Sequence, residues 1–302
     1  MKILFLQDDF WPHGKGGAAS VVLNFAKELV KMGHIVSVIT TVRNIADEGV
    51  SFCGKIKVFS IYTNYHLRWQ AYLSLYNPQT VGKVKKILED ERPQVIHAHN
   101  LHHYLSYHCL KLAKDAGTKV FLTAHDAMLF HYGKFYEFIE TSSLKVSIWQ
   151  QIKRAKLTYN PIRNIFIKYY LRYVDKIFAV SNCLKEALNQ NGIDNVEVWY
   201  NWIDVGAWEN IMTDENAFKK EFNLEDKKII FFAAGNSWAK GGQQILLALK
   251  EIVKTIPEAQ LLIIGSENSY VNSLLKKAII WWLNHNIVVT GQLEGSRLKS
   301  AY

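Results

Sequence analysis

Several short stretches concentrate residues able to handle a phosphate or a sugar. The loop 8–19, DDFWPHGKGGAA, carries Gly16 and Gly17 just ahead of a helix-like pattern. Lacking Cβ atoms, they let a phosphate approach a helix N-terminus, where free N–H groups and the dipole favour anions. The spacing is neither GxGxxG nor GxxxxGK followed by Ser or Thr, so neither a dinucleotide fingerprint nor a P-loop is indicated. A plain flexible loop is the other reading. The stretch 233–244, AAGNSWAKGGQQ, has Gly235 and Asn236 at a strand end and Lys240 before Gly241 and Gly242. A cation beside a helix N-terminus is unfavourable unless an anion lies between them, which makes Lys240 a candidate phosphate ligand. Its alternative is a solvated surface lysine.

Two histidine-bearing strand ends come next. HAHNLHH at 97–103 closes one strand, and TAHDA at 123–127 closes another. His97 and His99 are expected to face apart and not to share a metal, and the cluster has no acidic neighbour, so no metal site is expected. His99 and Asn100 suit a polar wall for a sugar hydroxyl, or a merely structural role. In TAHDA, His125 can donate a hydrogen bond to a substrate, while Asp126 can position a loop or accept from a hydroxyl.

The segment 144–176 has eight basic residues against the single acid Asp175, interleaved with Trp149, Phe166, Tyr169 and other apolar side chains. Pro161 splits it into two helical pieces, with Asn160 expected to cap the second. Basic residues with aromatic anchors on an amphipathic helix suit an anionic membrane surface. A core helix whose outer face is basic fits equally well.

The elements that must position these groups alternate between strand and helix. Strands are expected at 2–7, 35–40, 94–98, 119–123, 176–180 and 196–199, with helices at 18–32, 81–91, 104–116 and 184–191. After a polar stretch at 204–226, strands follow at 228–234, 260–264 and 286–290, with helices at 241–255 and 270–283 and a helix opening near the end. Apolar strands separated by helices imply a parallel sheet covered on both faces. Ligands then bind beyond the carboxyl ends of the strands, where the histidines and glycines above lie. The 302 residues fit two α/β domains, set at 1–205 and 206–302, the second incomplete.

Composition narrows the function classes. At 49% hydrophobic and 21% charged, the chain can bury a core. Cys53, Cys109 and Cys183 form no CxxC pair, which suits a reducing compartment. The N-terminal apolar run is too short for a secretory signal, and no stretch approaches the ~20 apolar residues of a membrane span. The expected location is the cytoplasm, with peripheral attachment to the inner face of the plasma membrane through 144–176. A net charge of +9 suggests an anionic partner. No RNA-binding or helix-turn-helix pattern organises the aromatics, so nucleic acid is not expected.

In order along the chain, WPHGKGGAASVVLNFAKELVKMGHIVSVIT, PQVIHAHN, TAHDA, VSNCLKEAL, YNWID, AAGNSWAKGGQQILLAL, LLIIGSEN and VVTGQL resemble glycosyltransferase family 4, retaining enzymes of the GT-B fold. The nearest look-alikes build bacterial surface polysaccharides. The resemblance implies an α/β fold of two Rossmann-like domains facing a cleft and a hexosyl-type transfer from a nucleotide sugar to a glycan or lipid-linked acceptor. It implies no metal and no cofactor. Gly16 and Gly17 would lie under the donor diphosphate, His125 would touch the transferred sugar with Asp126 beside it, and Lys240 would neutralise the leaving group. Asn201 would line the donor side, with His99 and Asn100 on the acceptor side. Asn236 follows Gly235 where the family usually has Arg, so Lys240 is left to act without a second cation. The family's E-x7-E motif would fall beyond Tyr302, so the 302-residue chain by itself is expected to turn over little. Two other readings remain open: a degenerate transferase acting as a membrane- or partner-binding module, and a GT-B nucleotide-sugar epimerase.

Overall fold

A computed structural model describes residues 1–14, 16–134, 143–233, 240–265 and 268–302. The described chain divides into two compact units, Met1–Ile203 and Asp204–Tyr302.

The first unit is built on eight strands: β1 (Lys2–Leu6), β2 (Ile35–Val42), β3 (Gly49–Cys53), β4 (Ile56–Tyr62), β5 (Val95–Ala98), β6 (Lys119–Ala124), β7 (Lys176–Ala179) and β8 (Val196–Val198). They lie in the order β3-β4-β2-β1-β5-β6-β7-β8. Alternation along β1 sends Ile3 and Phe5 to one core and Leu4 and Leu6 to the other, so helices must cover both faces. The helix Gly17–Lys31 supplies Val22 and Ala26 to the first core, and Pro78–Glu91 supplies Val84 and Leu88 to the second. Each such large apolar side chain contributes about 1.5–3 kcal/mol on burial.

The all-parallel expectation fails at one edge. β3 runs antiparallel to β4, with Cys53 opposite Ile56 across the turn Gly54–Lys55. The signal was present in the sequence, because a two-residue turn led by glycine between apolar runs marks a hairpin.

Another departure bears on the site. The helix expected at 104–116 begins only at His108 and ends at Asp115. The backbone ahead of it is diverted to Asp8, whose carboxylate accepts the N–H groups of His103 (2.7 Å), Tyr104 (2.9 Å) and Leu105 (2.7 Å). A buried carboxylate taking charge-assisted bonds from three amides outweighs one more turn of helix.

In the second unit, β9 (Lys228–Ala233), β10 (Ala259–Ile264) and β11 (Ile287–Gly291) form a parallel sheet in the order β11-β10-β9. Leu261 and Ile263 pack under the helices Gly242–Ile252 and Ser269–Ile280, while Leu262 and Ile264 pack on Phe218, Leu293 and Ala301. Among the described residues no helix is long and apolar enough to cross a membrane.

Candidate functional site

The carboxyl ends of β5 and β6 bring the histidines together. Register pairs His97 with Phe121 and Ala98 with Leu122, so the residues just beyond the two strands meet side by side. His97 Nε2 lies 2.8 Å from Thr123 Oγ1, and His99 Nδ1 lies 2.8 Å from His125 Nε2. The rings of His97 and His99 stand 4.4 Å apart, both against Phe5. The expectation that they face apart is therefore wrong: side chains alternate with a period of two, so residues 97 and 99 share a face.

Burial decides the charge of this group. It pushes His125 down to about 4 and His97 to about 3, and His99 falls well below the ordinary imidazole value, with neighbouring imidazoles adding to the effect for His97 and His99. All three rings are neutral near pH 7. His99 Nε2 is buried with no hydrogen-bond partner. The residue His99 lines a pocket whose other walls include Phe25, Thr123, Trp199, Asn201 and Trp202. His99 and Asn201, far apart in sequence, thus share one pocket, and His125 adjoins it through its bond to His99 without lining it. His99 is buried and supports His125 instead of forming an open wall, and the Asn100 N–H is tied to Gln7 Oε1 at 3.1 Å.

Asp126 takes the loop-positioning role. Its Oδ1 accepts the Met128 N–H at 2.9 Å and caps the turn Ala127–Leu129, and its Oδ2 lies 3.7 Å from His102 Nε2. Asp8 is the residue that sequence reasoning missed. Burial raises its carboxyl, but His103 and the surrounding amide and imidazole groups outweigh that and hold it below the usual carboxylate range. Its backbone oxygen also accepts from Thr41 Oγ1 at 2.6 Å, so one residue ties the loop after β5 to the end of β2. The signal available was an acid directly after an apolar strand at the sheet's carboxyl edge.

The two glycine pairs differ. The helix Gly17–Lys31 starts at Gly16 without any side-chain cap, and a Cβ on Gly16 or Gly17 would meet nothing among the described residues. The N–H groups there remain open to an anion. Gly241 and Gly242, by contrast, are required by the fold. Gly241 sits at φ +79°, and a Cβ on Gly242 would come 2.4 Å from Tyr270 Oη, which already accepts the Gly242 N–H at 3.0 Å. Those glycines need no ligand to explain them. Lys240 is exposed and makes no ion pair among the described residues. Gly235 and Asn236 lie outside the described residues. Among the described residues no group of three or more His, Cys, Asp and Glu could hold a metal ion.

Segment 144–176 forms the helices Ile148–Ala155 and Arg163–Leu171. Asn160 Oδ1 accepts the Ile162 N–H at 3.1 Å just ahead of the second helix. Arg163 is buried, which removes one of the eight basic residues from the surface, and Lys176 is half-buried and paired with Glu197 at 2.5 Å. Ile148, Trp149, Leu157, Ile165 and Phe166 are exposed.

Comparison with known proteins agrees with this architecture. MJ1607 of Methanocaldococcus jannaschii, described as an uncharacterized glycosyltransferase, is 23% identical over 316 aligned positions, covering all of this chain and 72% of that protein. YtcC of Bacillus subtilis is 28% identical over 127 residues, which span 37% of this chain and only 31% of YtcC. HepE of Anabaena, solved with UDP and glucose, superposes with a TM-score of 0.65 at 16% identity, covering 99% of this chain and 71% of that one. The fold is that of the GT-B glycosyltransferases. The profile of Glycosyltransferase Family 4 matches residues 15–206, more than half of the 302, and the chain belongs to that family.

Proposed function

We propose that this chain transfers a hexosyl group from a nucleotide-sugar donor to a glycan or lipid-linked acceptor in polysaccharide biosynthesis, with retention of configuration. The observation that carries the reading is the His99–His125 pair beside the pocket shared with Asn201. A neutral imidazole with its proton held in place can recognise a sugar hydroxyl without attracting a competing anion. The uncapped N-terminus at Gly16 and Gly17 receives the donor diphosphate, and Lys240 neutralises the charge that develops on the leaving group. Gly235 and Asn236 belong to the same donor side by their place in the sequence, and Asn100 to the acceptor side. No metal takes part in this scheme. That HepE binds UDP and glucose supports a nucleotide sugar as the donor class.

The exposed apolar side chains of 144–176, with Lys153, Lys156, Lys168 and Arg172 at the surface, support docking on the anionic cytoplasmic face of a membrane. Co-sedimentation with neutral and anionic vesicles tests this, with binding expected to need anionic lipid and to weaken in high salt. Equal binding to both vesicles would discard it.

The reaction is tested by incubating the chain with labelled nucleotide sugars and a crude lipid-acceptor extract. Label is expected in the lipid fraction with the donor's anomeric configuration. Hydrolysis alone, interconversion of the donor sugar, or no turnover would each count against transfer and favour the epimerase or the binding module.

A further inference from the structure

A second concavity in the first unit is unconnected with the histidine pocket by any shared lining residue. Its walls include Gln70, Tyr132, Arg154, Thr158 and Arg163. Arg163 is only 2% exposed. Its guanidinium donates to Met128 O at 2.5 Å and Asn164 Oδ1 at 2.8 Å and stands 4.7 Å from the centre of the Tyr132 ring. Two of its five N–H donors are thereby used, and no carboxylate lies within ion-pairing distance among the described residues. A buried cation is ordinarily paired with an acid, because desolvation without a counter-charge is costly.

Arg154, exposed at its outer side, lines the same pocket and makes no ion pair or hydrogen bond among the described residues. It enters against Gly133, where a Cβ would come 2.7 Å from its Nε, so the missing side chain at 133 makes room for the guanidinium. Two arginines sharing a pocket with no acid among its described lining residues create a place for an anion, and two forked donor sets suit the several oxygens of a diphosphate. Leu67 lines the pocket and is exposed; Leu157 and Ile162, each adjacent in sequence to a lining residue, are exposed as well. An exposed apolar lining residue with exposed apolar neighbours in sequence favours a ligand with a hydrocarbon chain over a free phosphate.

We propose that the Arg154–Arg163 pocket binds the diphosphate of a lipid-linked acceptor, with Leu67, Leu157 and Ile162 meeting the first units of its apolar chain. This deepens the transferase reading above and rests on it. The test is calorimetric titration of farnesyl diphosphate and, separately, inorganic pyrophosphate into the chain in saturating UDP, so that a donor-side phosphate site is already filled. Farnesyl diphosphate is expected to bind at least about tenfold more tightly than pyrophosphate. Arg154→Glu is expected to weaken both by about tenfold or more, and Leu157→Asp to weaken farnesyl diphosphate alone. Arg163→Lys, which keeps the charge but loses the fork, should weaken both, with thermal melting reporting on its fold. Failure of farnesyl diphosphate to bind, equal affinity in Arg154→Glu and the parent, or equal affinity for the two ligands would overturn the proposal. UDP titrated alone reports separately on the donor reading: absence of UDP binding counts against that reading whatever the pocket does.

Discussion

His99 Nδ1 and His125 Nε2 lie 2.8 Å apart, and the other ring nitrogen of His99 is buried without a partner. Two neutral imidazoles share one proton in such a contact. Leaving an unprotonated Nε2 in the interior costs less than stranding an N–H there, so His99 donates through Nδ1 and His125 keeps its own proton on Nδ1. Nitrogen-15 correlation spectra of the histidine rings near pH 7 should show His125 as the Nδ1–H tautomer. In His99→Ala, water reaches His125, whose pKa should rise from about 4 toward the ordinary 6.5. An unmoved titration would mean that His99 does not shield it.

Acid should destabilise the first unit well before its carboxylates titrate. His97, His99, His102 and His125 all have imidazole pKa values lowered by burial, those of His102 and His125 to about 4. Above pH 6.5 both folded and unfolded forms are neutral and nothing is lost. As pH falls from about 6.5 toward 4, the unfolded chain takes up protons that the folded chain refuses, so stability declines. Urea unfolding from pH 7.5 to 4.5 should give a slope near pH 5.5 corresponding to roughly three and a half protons. A flat profile would show that these imidazoles are hydrated.

Asp8 acts in the same direction as the histidines but lower on the pH scale. Its carboxyl is held below the ordinary value, so its stabilisation is full above about pH 4 and is lost only as pH falls through the folded value. Asp8→Ala strands three backbone N–H groups, at a cost of about 3 kcal/mol or more in urea unfolding. Asp8→Asn keeps one acceptor oxygen and should lose less. A change below about 0.5 kcal/mol in Asp8→Ala would mean that the loop 103–105 finds other acceptors.

Lys240 is exposed beside a helix start whose first N–H is already taken by Tyr270. If it meets the donor diphosphate, Lys240→Ala should weaken UDP binding by about 1.5–3 kcal/mol while leaving the melting temperature unchanged, since it has no ion pair to lose among the described residues. Equal UDP affinity in both proteins would remove Lys240 from the donor side.

The sequence by itself determined most of the strand and helix succession, because apolar periodicity and helix-stop residues act within a few positions. It also located the histidine-bearing strand ends and carried the family resemblance. The hairpin Gly49–Tyr62 is legible too, in its Gly54–Lys55 turn. What only the tertiary structure decided are the pairings between distant positions. His99 meets His125 across 26 residues because β5 and β6 run parallel in a particular register. Asp8 clasps amides 95 to 97 residues away, and in doing so delays the start of the helix expected at 104–116 to His108. In the sequence Arg163 is one more cation in a basic run, but the fold buries it in a pocket shared with Arg154, with no acid in ion-pairing distance among the described residues. Residue type announces a charge locally, but burial and partner depend on which strands lie side by side, and that is set by packing over the whole sheet.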